Sequence, residues 1–263
     1  MTEPRPLALV TGASSGIGLE LARQFAEHGF DLVVNAEDAE LTTAAEQLRA
    51  AGTAVQAVQA DLRSRTGIDA LWAAVQATGR PLAAAALNAG VGKGGPFVEN
   101  DLADELAIID LNVVSTVVLA KYALRDMAAR GEGRVLITSS IASTMPGPHQ
   151  AIYNASKSFV QSLAEALATE LRDTGVTVTS LMPGPTDTEF FERGDLMDTK
   201  LGQGPKDDPA QVARQGFEAM MAGKDKVLGG SVMSKAQAVV NSVLPDRLKS
   251  AGHAKMAEPG SAG

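Results

Sequence analysis

A cluster of glycines set between an apolar strand and a helix dictates most of what this chain can become. Thr11-Gly12-Ala13-Ser14-Ser15-Gly16-Ile17-Gly18 directly follows the apolar run Leu7–Thr11, and helical periodicity begins at about Ile17. Gly12 permits a tight strand-to-helix turn, Gly16 lets backbone approach a phosphate closely, and Gly18 lets helix and sheet pack together. The N-terminus of the new helix then offers Ser14, Ser15 and unpaired N–H groups to a pyrophosphate, with the positive end of its dipole behind them. A glycine triplet alone also occurs in ordinary turns. Its surroundings are what raise dinucleotide binding above that alternative.

Those surroundings alternate. Strand-length apolar runs at Leu7–Thr11, Asp31–Ala36, Ala54–Ala60, Ala83–Asn88, Arg134–Ser139 and Val176–Met182 are separated by helical patterns at Ile17–His28, Ala39–Ala51, Arg65–Thr78, Leu102–Arg130 and Ala151–Thr174. Gly29, Gly52, Gly79, Gly131 and Gly175 stand at the helix stops, where a left-handed residue is favoured. The pattern predicts an α/β fold, a Rossmann-like doubly wound parallel sheet flanked by helices. No linker or repeat divides it, so a single domain over residues 1–250 is expected, with a substrate flap at about 187–208. A helix at Pro209–Ala222, a short strand at Lys226–Gly229 and a helix at Ser234–Val243 would finish it. From Ser250 the Ala/Gly/Pro-containing end, 251–263, reads as a flexible tail.

Composition narrows the chemistry. With 263 residues, 45% of them hydrophobic, the chain can bury a large core. It has no Cys and only three His (His28, His149, His253), which argues against thiolate catalysis and against a metal site. A net charge of −8 and 4% aromatic residues give no footprint for nucleic acid or anionic lipid. No stretch has the length of a membrane span, and a cytoplasmic protein handling a small molecule is expected.

The second strand ends Val33-Val34-Asn35-Ala36-Glu37-Asp38, where an adenosine ribose would lie. A carboxylate there accepts hydrogen bonds from a free 2′-hydroxyl and repels a 2′-phosphate, and neither Ser15 nor the strand end supplies a compensating cation. NAD(H) is therefore favoured, with NADP(H) the alternative. Glu37 and Asp38 would equally serve to cap the following helix and face water.

Tyr153 and Lys157 are four residues apart at the start of a long helical pattern, so they share a face. An adjacent ammonium favours phenolate and brings a Tyr into range for acid/base work. Ser140 lies just past a strand, at the carboxyl edge where open α/β sheets bind ligands. Each signal alone is weak, because such pairs usually sit on the surface and such serines in turns.

Together these residues resemble the classical short-chain dehydrogenase/reductase family over about residues 7 to 190. The glycine-rich turn, Asp61-Leu62, Asn88-Ala89-Gly90, Asn112-Val113, Ser140, Tyr153 with Lys157, and Pro183-Gly184 with Thr188 all fall in that family's order. The resemblance implies that Asp61 and Leu62 hold the adenine and that Asn88, Ala89 and Gly90 flank the cofactor. It implies that Pro183, Gly184, Thr186 and Thr188 contact the nicotinamide carboxamide. Tyr153 would be the acid/base, Lys157 its activator and a ribose ligand, and Ser140 the substrate-polarising hydroxyl. Asn112 would interrupt its helix and hold a proton-relaying water. Two departures stand out. Leu87 replaces an Asn at a position expected to be buried, and Ala36 and Glu37 occupy positions where NAD users carry Asp and NADP users Arg. A homodimer or homotetramer assembled through Leu102–Arg130 and Ala151–Thr174 is implied as well.

The expected reaction is hydride transfer between a nicotinamide and a secondary alcohol or ketone. Met145, His149, Gln150, Phe190, Phe191 and Met197 fall on segments bordering the cleft, which suggests a hydrophobic substrate, although the Phe and Met residues would serve equally as packing. A 3-oxoacyl-thioester reductase, with Lys93, Lys200 and Lys206 as its basic patch, is the rival enzyme. A silent dinucleotide sensor is the rival from another class.

Overall fold

The computed structural model describes residues 5–235 and 244–262. Seven parallel strands run in the order β3-β2-β1-β4-β5-β6-β7. They are β1 (Leu7–Thr11), β2 (Asp31–Ala36), β3 (Val55–Gln59), β4 (Leu82–Leu87), β5 (Gly133–Thr138), β6 (Val176–Pro183) and β7 (Lys226–Gly229). The helices are α1 (Gly16–Glu27), α2 (Glu40–Ala50), α3 (Arg65–Ala77), α4 (Leu102–Ile109), α5 (Thr116–Arg130), α6 (Ala151–Glu170), α7 (Phe190–Arg193), α8 (Lys200–Gln203), α9 (Pro209–Met221) and α10 (Asp246–Ala257). The expected doubly wound sheet is what forms, and its order reverses between β1 and β4, the switch point at which such sheets bind ligands.

The two-residue period of a strand explains the two cores. Leu7 and Leu9 of β1 point to one face, where they meet Leu71, Leu119, Met127 and Val160 of α3, α5 and α6. Ala8 and Val10 point to the other, where Leu21, Phe25, Val212 and Phe217 of α1 and α9 cover them. On that second face Phe25 packs edge-on against both Phe30 and Phe217, with ring centroids 5.2 and 5.1 Å away. Leu87 is buried in the first core, so its replacement of a polar residue suits its surroundings. Helix α5 ends at Gly131 with φ 76, and the other four expected stops are also left-handed.

The periodic stretch Leu102–Arg130 is interrupted by a π-helical segment over Asp110–Ser115, around the Asn112 that the resemblance expects to break its helix. The end of the chain, read as a flexible tail from Ser250, is helical through Ala257 and packs against α8, and Gly260 N–H and Ala262 N–H donate to Asp198 at 2.8 and 3.0 Å. The flap is pinned at its base, where Asp187 N–H donates to Asp207 O at 2.9 Å and Asp207 N–H to Pro185 O at 2.7 Å. The expected helix Ser234–Val243 falls almost wholly on 236–243, outside the described residues.

Candidate active site

The carboxyl ends of the central strands open into a cavity of about 790 Å³. Its floor is stitched together by short polar contacts that the sequence order makes possible. The buried Thr11 hydroxyl accepts N–H bonds from Asn88 and Ala89 at 2.9 and 3.1 Å, and Asn88 in turn accepts from the Thr138 hydroxyl at 3.0 Å. These bonds hold the ends of β1, β4 and β5 in one plane. The glycines sit where nothing larger fits. A methyl group on Gly18 would lie 1.9 Å from Gly12 O, and one on Gly16 would lie 2.8 Å from Thr188 Cγ2.

Every residue expected from the turn, the strand end or the family resemblance to contact the cofactor lines this cavity: Gly12, Ser14 to Gly18, Glu37, Asp61, Leu62, Asn88 to Gly90, Pro183, Gly184, Thr186 and Thr188. Asn112 stands behind them. Its side-chain amide exchanges hydrogen bonds with the backbone of Val91, both at 2.9 Å, and donates to Ser156 Oγ at 3.0 Å. The π segment places this amide so that it braces the loop carrying Gly90, where an added Cβ would meet Asn112 Oδ1 at 3.1 Å and Lys157 Nζ at 3.2 Å.

Ser140, Tyr153 and Lys157 converge on the cavity. Ser140 caps the short turn Ile141–Thr144, accepting from Ala142 N–H at 3.1 Å. Lys157 is only 6% exposed. Its ammonium donates to Thr138 O at 3.0 Å and lies 5.9 Å from the Tyr153 ring centre. Burial pushes the Tyr153 phenol up to about 12, with a hydrogen bond from Ser140 working against that rise. Burial also brings Lys157 down to about 8. Without a cofactor, then, the phenol holds its proton at neutral pH.

The depressed Lys157 value has a consequence for stability. Below pH 8 this lysine is charged in both folded and unfolded chains, and the cost of burying the charge is fully present. Between about 8 and its unfolded value of 10.5 the unfolded chain binds more protons, so stability rises with pH. Wild type is expected to gain up to roughly 3 kcal/mol relative to Lys157→Met across that window. Denaturant unfolding at stepped pH checks this, and a constant difference would refute it.

The adenosine end holds what the sequence reading missed. Two cations are present where none was expected. Arg63 bonds Glu37 at 2.5 Å and Asp61 at 2.9 Å, holding the Asp61 carboxyl below the usual range. Arg193 bonds Glu189 at 2.6 Å and Asp38 at 3.4 Å. Glu37 is exposed at the rim and occupied by Arg63, whereas Asp38 turns inward and accepts from Ser14 Oγ at 3.0 Å. Its other oxygen, Oδ1, is buried with no partner among the described residues. A ribose hydroxyl would supply that missing donor, and the residues fit a dinucleotide.

Of the expected pocket residues, Met145, Gln150, Phe190 and Phe191 line the cavity, but His149 and Met197 do not. His149 has a left-handed backbone, φ 63, and its carbonyl accepts from Gly95 N–H at 2.9 Å. Met197 is 43% exposed. Their places are taken by Leu248, His253 and Met256 of α10. Lys249 clips that helix down by donating to Thr144 O at 2.8 Å, and a hydrogen bond of 3.2 Å joins His253 Nδ1 to Pro148 O. Among the described residues no cluster of His, Asp or Glu could hold a metal ion.

Residues 6–197 match the family model described as short chain dehydrogenase. The chain belongs to the short-chain dehydrogenase family. It is 38% identical over 192 residues to a candidate ketoacyl reductase of Streptomyces coelicolor, covering 71% of this chain and 73% of that protein. A short-chain dehydrogenase/reductase from Burkholderia phymatum in complex with NAD superposes with TM-score 0.82 at 26% identity, covering 95% of this chain and 97% of that one. One from Sphingobium yanoikuyae in complex with NADPH gives 0.80 at 28% identity, covering 90% and 93%. The protein is therefore a nicotinamide-dependent oxidoreductase acting on CH–OH or ketone groups.

Proposed function

We propose that the enzyme interconverts a hydrophobic secondary alcohol and its ketone with NAD(H) as preferred cofactor, using Ser140, Tyr153 and Lys157 as its reacting groups and Asn112 as their brace. The convergence of the three side chains on one cavity, beside the glycine-rich turn, carries this reading. When bound, the nicotinamide supplies or accepts the hydride. In reduction, the Ser140 hydroxyl donates to the ketone oxygen and Tyr153 Oη delivers the proton as negative charge develops there. The protonated phenol of the folded chain is already in the state this direction needs. In oxidation Tyr153 must first lose its proton, and the Lys157 ammonium favours the phenolate that then takes the alcohol proton.

Preference for NAD(H) is supported by Asp38 Oδ1, which has no partner among the described residues and is a ready acceptor for a 2′-hydroxyl. Apolar walls at Met145, Phe190, Phe191, Leu248 and Met256 support a hydrophobic substrate. Turnover of NADH with a panel of apolar ketones tests the reading, and NADH binding without turnover on any of them would instead support the silent sensor. A 3-oxoacyl-thioester reductase is the second reading, favoured by the Streptomyces relative. Of its expected basic patch only Lys206 lines the cavity; Lys93 is neutralised by Asp195 and Asp104 at 2.6 and 3.2 Å, and Lys200 lies outside the lining.

Exposed apolar side chains at Leu102, Leu106, Val117 and Phe159, on α4, α5 and α6, support a homodimer or homotetramer built through these helices. Light scattering at assay concentration should give at least twice the monomer mass. No described helix is long and apolar enough to cross a membrane, and we place the enzyme in the cytoplasm.

A further inference from the structure

The substrate half of the cavity has an unusual charge inventory. Among the described residues the carboxylates lining the cavity are all occupied: Glu37 and Asp61 pair with Arg63, Asp38 and Glu189 with Arg193, and Asp207 accepts from Ser231 N–H at 3.0 Å and Ser234 Oγ at 2.6 Å. Besides Arg193, the lining cations are Lys157, Lys249 and Lys206. Lys157 serves Tyr153, and Lys249 is paired with Asp246 at 2.7 Å. Lys206 is different. Half-buried in the wall, its ammonium donates to Gly202 O and lies 5.0 Å from the Phe191 ring centre, with no carboxylate within salt-bridge distance among the described residues. The undescribed stretch 236–243, Ala-Gln-Ala-Val-Val-Asn-Ser-Val, contains no acidic residue. An ammonium partly withdrawn from water, with no counter-charge among the described residues, is poised to pair with an arriving anion.

A second, independent observation points to the ligand. Gln150 lines the same cavity one helical turn before Tyr153 and is only 3% exposed, yet its Nε2 has no hydrogen-bond partner among the described residues. Buried amides are normally paired. Lys206 stands beyond a ladder of rings leading away from Tyr153, with Phe190 at 5.0 Å from the Tyr153 ring centre and Phe191 at 5.4 Å from Phe190. The wall is thus apolar in the middle, with an amide near Tyr153 that has no partner among the described residues and, at the far end, an ammonium with no carboxylate among them.

We propose that the substrate is an apolar ketone, or its alcohol, that carries an anionic oxygen group at the end remote from the carbonyl, and that Lys206 is the residue that selects for it. This rests on the reading of the cavity as a ketone-reducing site. A carboxylate on the substrate itself or the terminal phosphate of a pantetheine carrier would each supply the group. Either one neutralises Lys206, while polar atoms along the chain come within reach of Gln150.

The test compares kcat/KM for medium-chain methyl ketones ending in a carboxylate with that for their methyl esters, and for acetoacetyl-pantetheine with and without its terminal phosphate. Wild type is expected to favour the anionic member of at least one pair by tenfold or more, and the pair that shows the preference identifies the source of the anion. Lys206→Gln should reduce that preference to within about twofold, and Lys206→Arg should restore most of it, which loss of fold would not produce. Equal use of both members of both pairs by wild type would overturn the proposal while leaving the ketone-reductase reading in place. So would a preference that survives in Lys206→Gln. NADH binding with no turnover of any of these ketones would instead bring down that underlying reading, and this proposal with it.

Discussion

Tyr153→Phe is expected to lower kcat for ketone reduction by roughly 10³-fold while changing the dissociation constant for NADH by less than about threefold. The substitution removes one oxygen and keeps the ring that packs against Phe190 with centroids 5.0 Å apart, so the cavity wall is preserved. What disappears is the proton that must reach the substrate oxygen as negative charge develops there. Ser140 cannot replace it. Its hydroxyl stabilises charge by hydrogen bonding, but it is too weak an acid to give up its proton at neutral pH. Stopped-flow reduction combined with fluorescence titration of NADH separates the two quantities. A variant retaining more than a few per cent of the wild-type rate would remove Tyr153 from the role assigned to it.

Asp38→Asn is expected to move the enzyme toward NADPH. In wild type the inward carboxylate would face any 2′-phosphate directly, and like charges about 4 Å apart at an effective dielectric near 20 repel by about 4 kcal/mol before screening. Arg63 and Arg193 are present at this end, but both are already bound to carboxylates, so they offset the acids more than they attract an additional anion. Removing the Asp38 charge frees the Arg193 guanidinium from one partner and removes the repulsion. The ratio of NADPH to NADH affinity should rise by roughly tenfold to a hundredfold, about 1.4 to 2.8 kcal/mol. Fluorescence titrations with both cofactors measure it. A wild-type protein that already prefers NADPH tenfold would contradict the NAD(H) preference, and an unchanged ratio in the variant would take Asp38 out of the discrimination.

The legible parts of the site are those encoded by short-range spacing. Tyr153 and Lys157 are one helical turn apart, and Thr11 to Gly18 is one strand-to-helix turn. Local geometry fixes such groups once the flanking elements form. The sheet was equally legible, because strands buried on both faces, such as Leu7–Thr11, read as unbroken apolar runs. Contacts made across long loops were not. Arg63 meets Glu37 across 26 residues and Arg193 meets Asp38 across 155, and nothing in the sequence near Glu37 announces either. The choice between Glu37 and Asp38 was hidden for a related reason. Adjacent residues at a strand end face opposite ways, and only the folded loop decides which turns inward. Helix α10 escaped notice because its own pattern is weak: Lys249, Ser250, Gly252 and Lys255 interrupt any apolar stripe. Packing against α8 and the Lys249 clip to Thr144 supply what local propensity lacks. His149 adopts a left-handed backbone angle that a lone histidine before a helix does not advertise.

The central claim is that the enzyme moves hydride between a nicotinamide and a carbinol carbon, with Tyr153 handling the proton. The most direct test is reduction of an accepted ketone with NADH carrying deuterium at both hydrogens of the nicotinamide C4, followed by mass and NMR analysis of the alcohol. Deuterium should appear on the carbinol carbon in stoichiometric amount with wild type, and Tyr153→Phe should form that product at roughly a thousandth of the rate. Alcohol formed without deuterium at that carbon, or formed by the variant at an undiminished rate, would contradict the account.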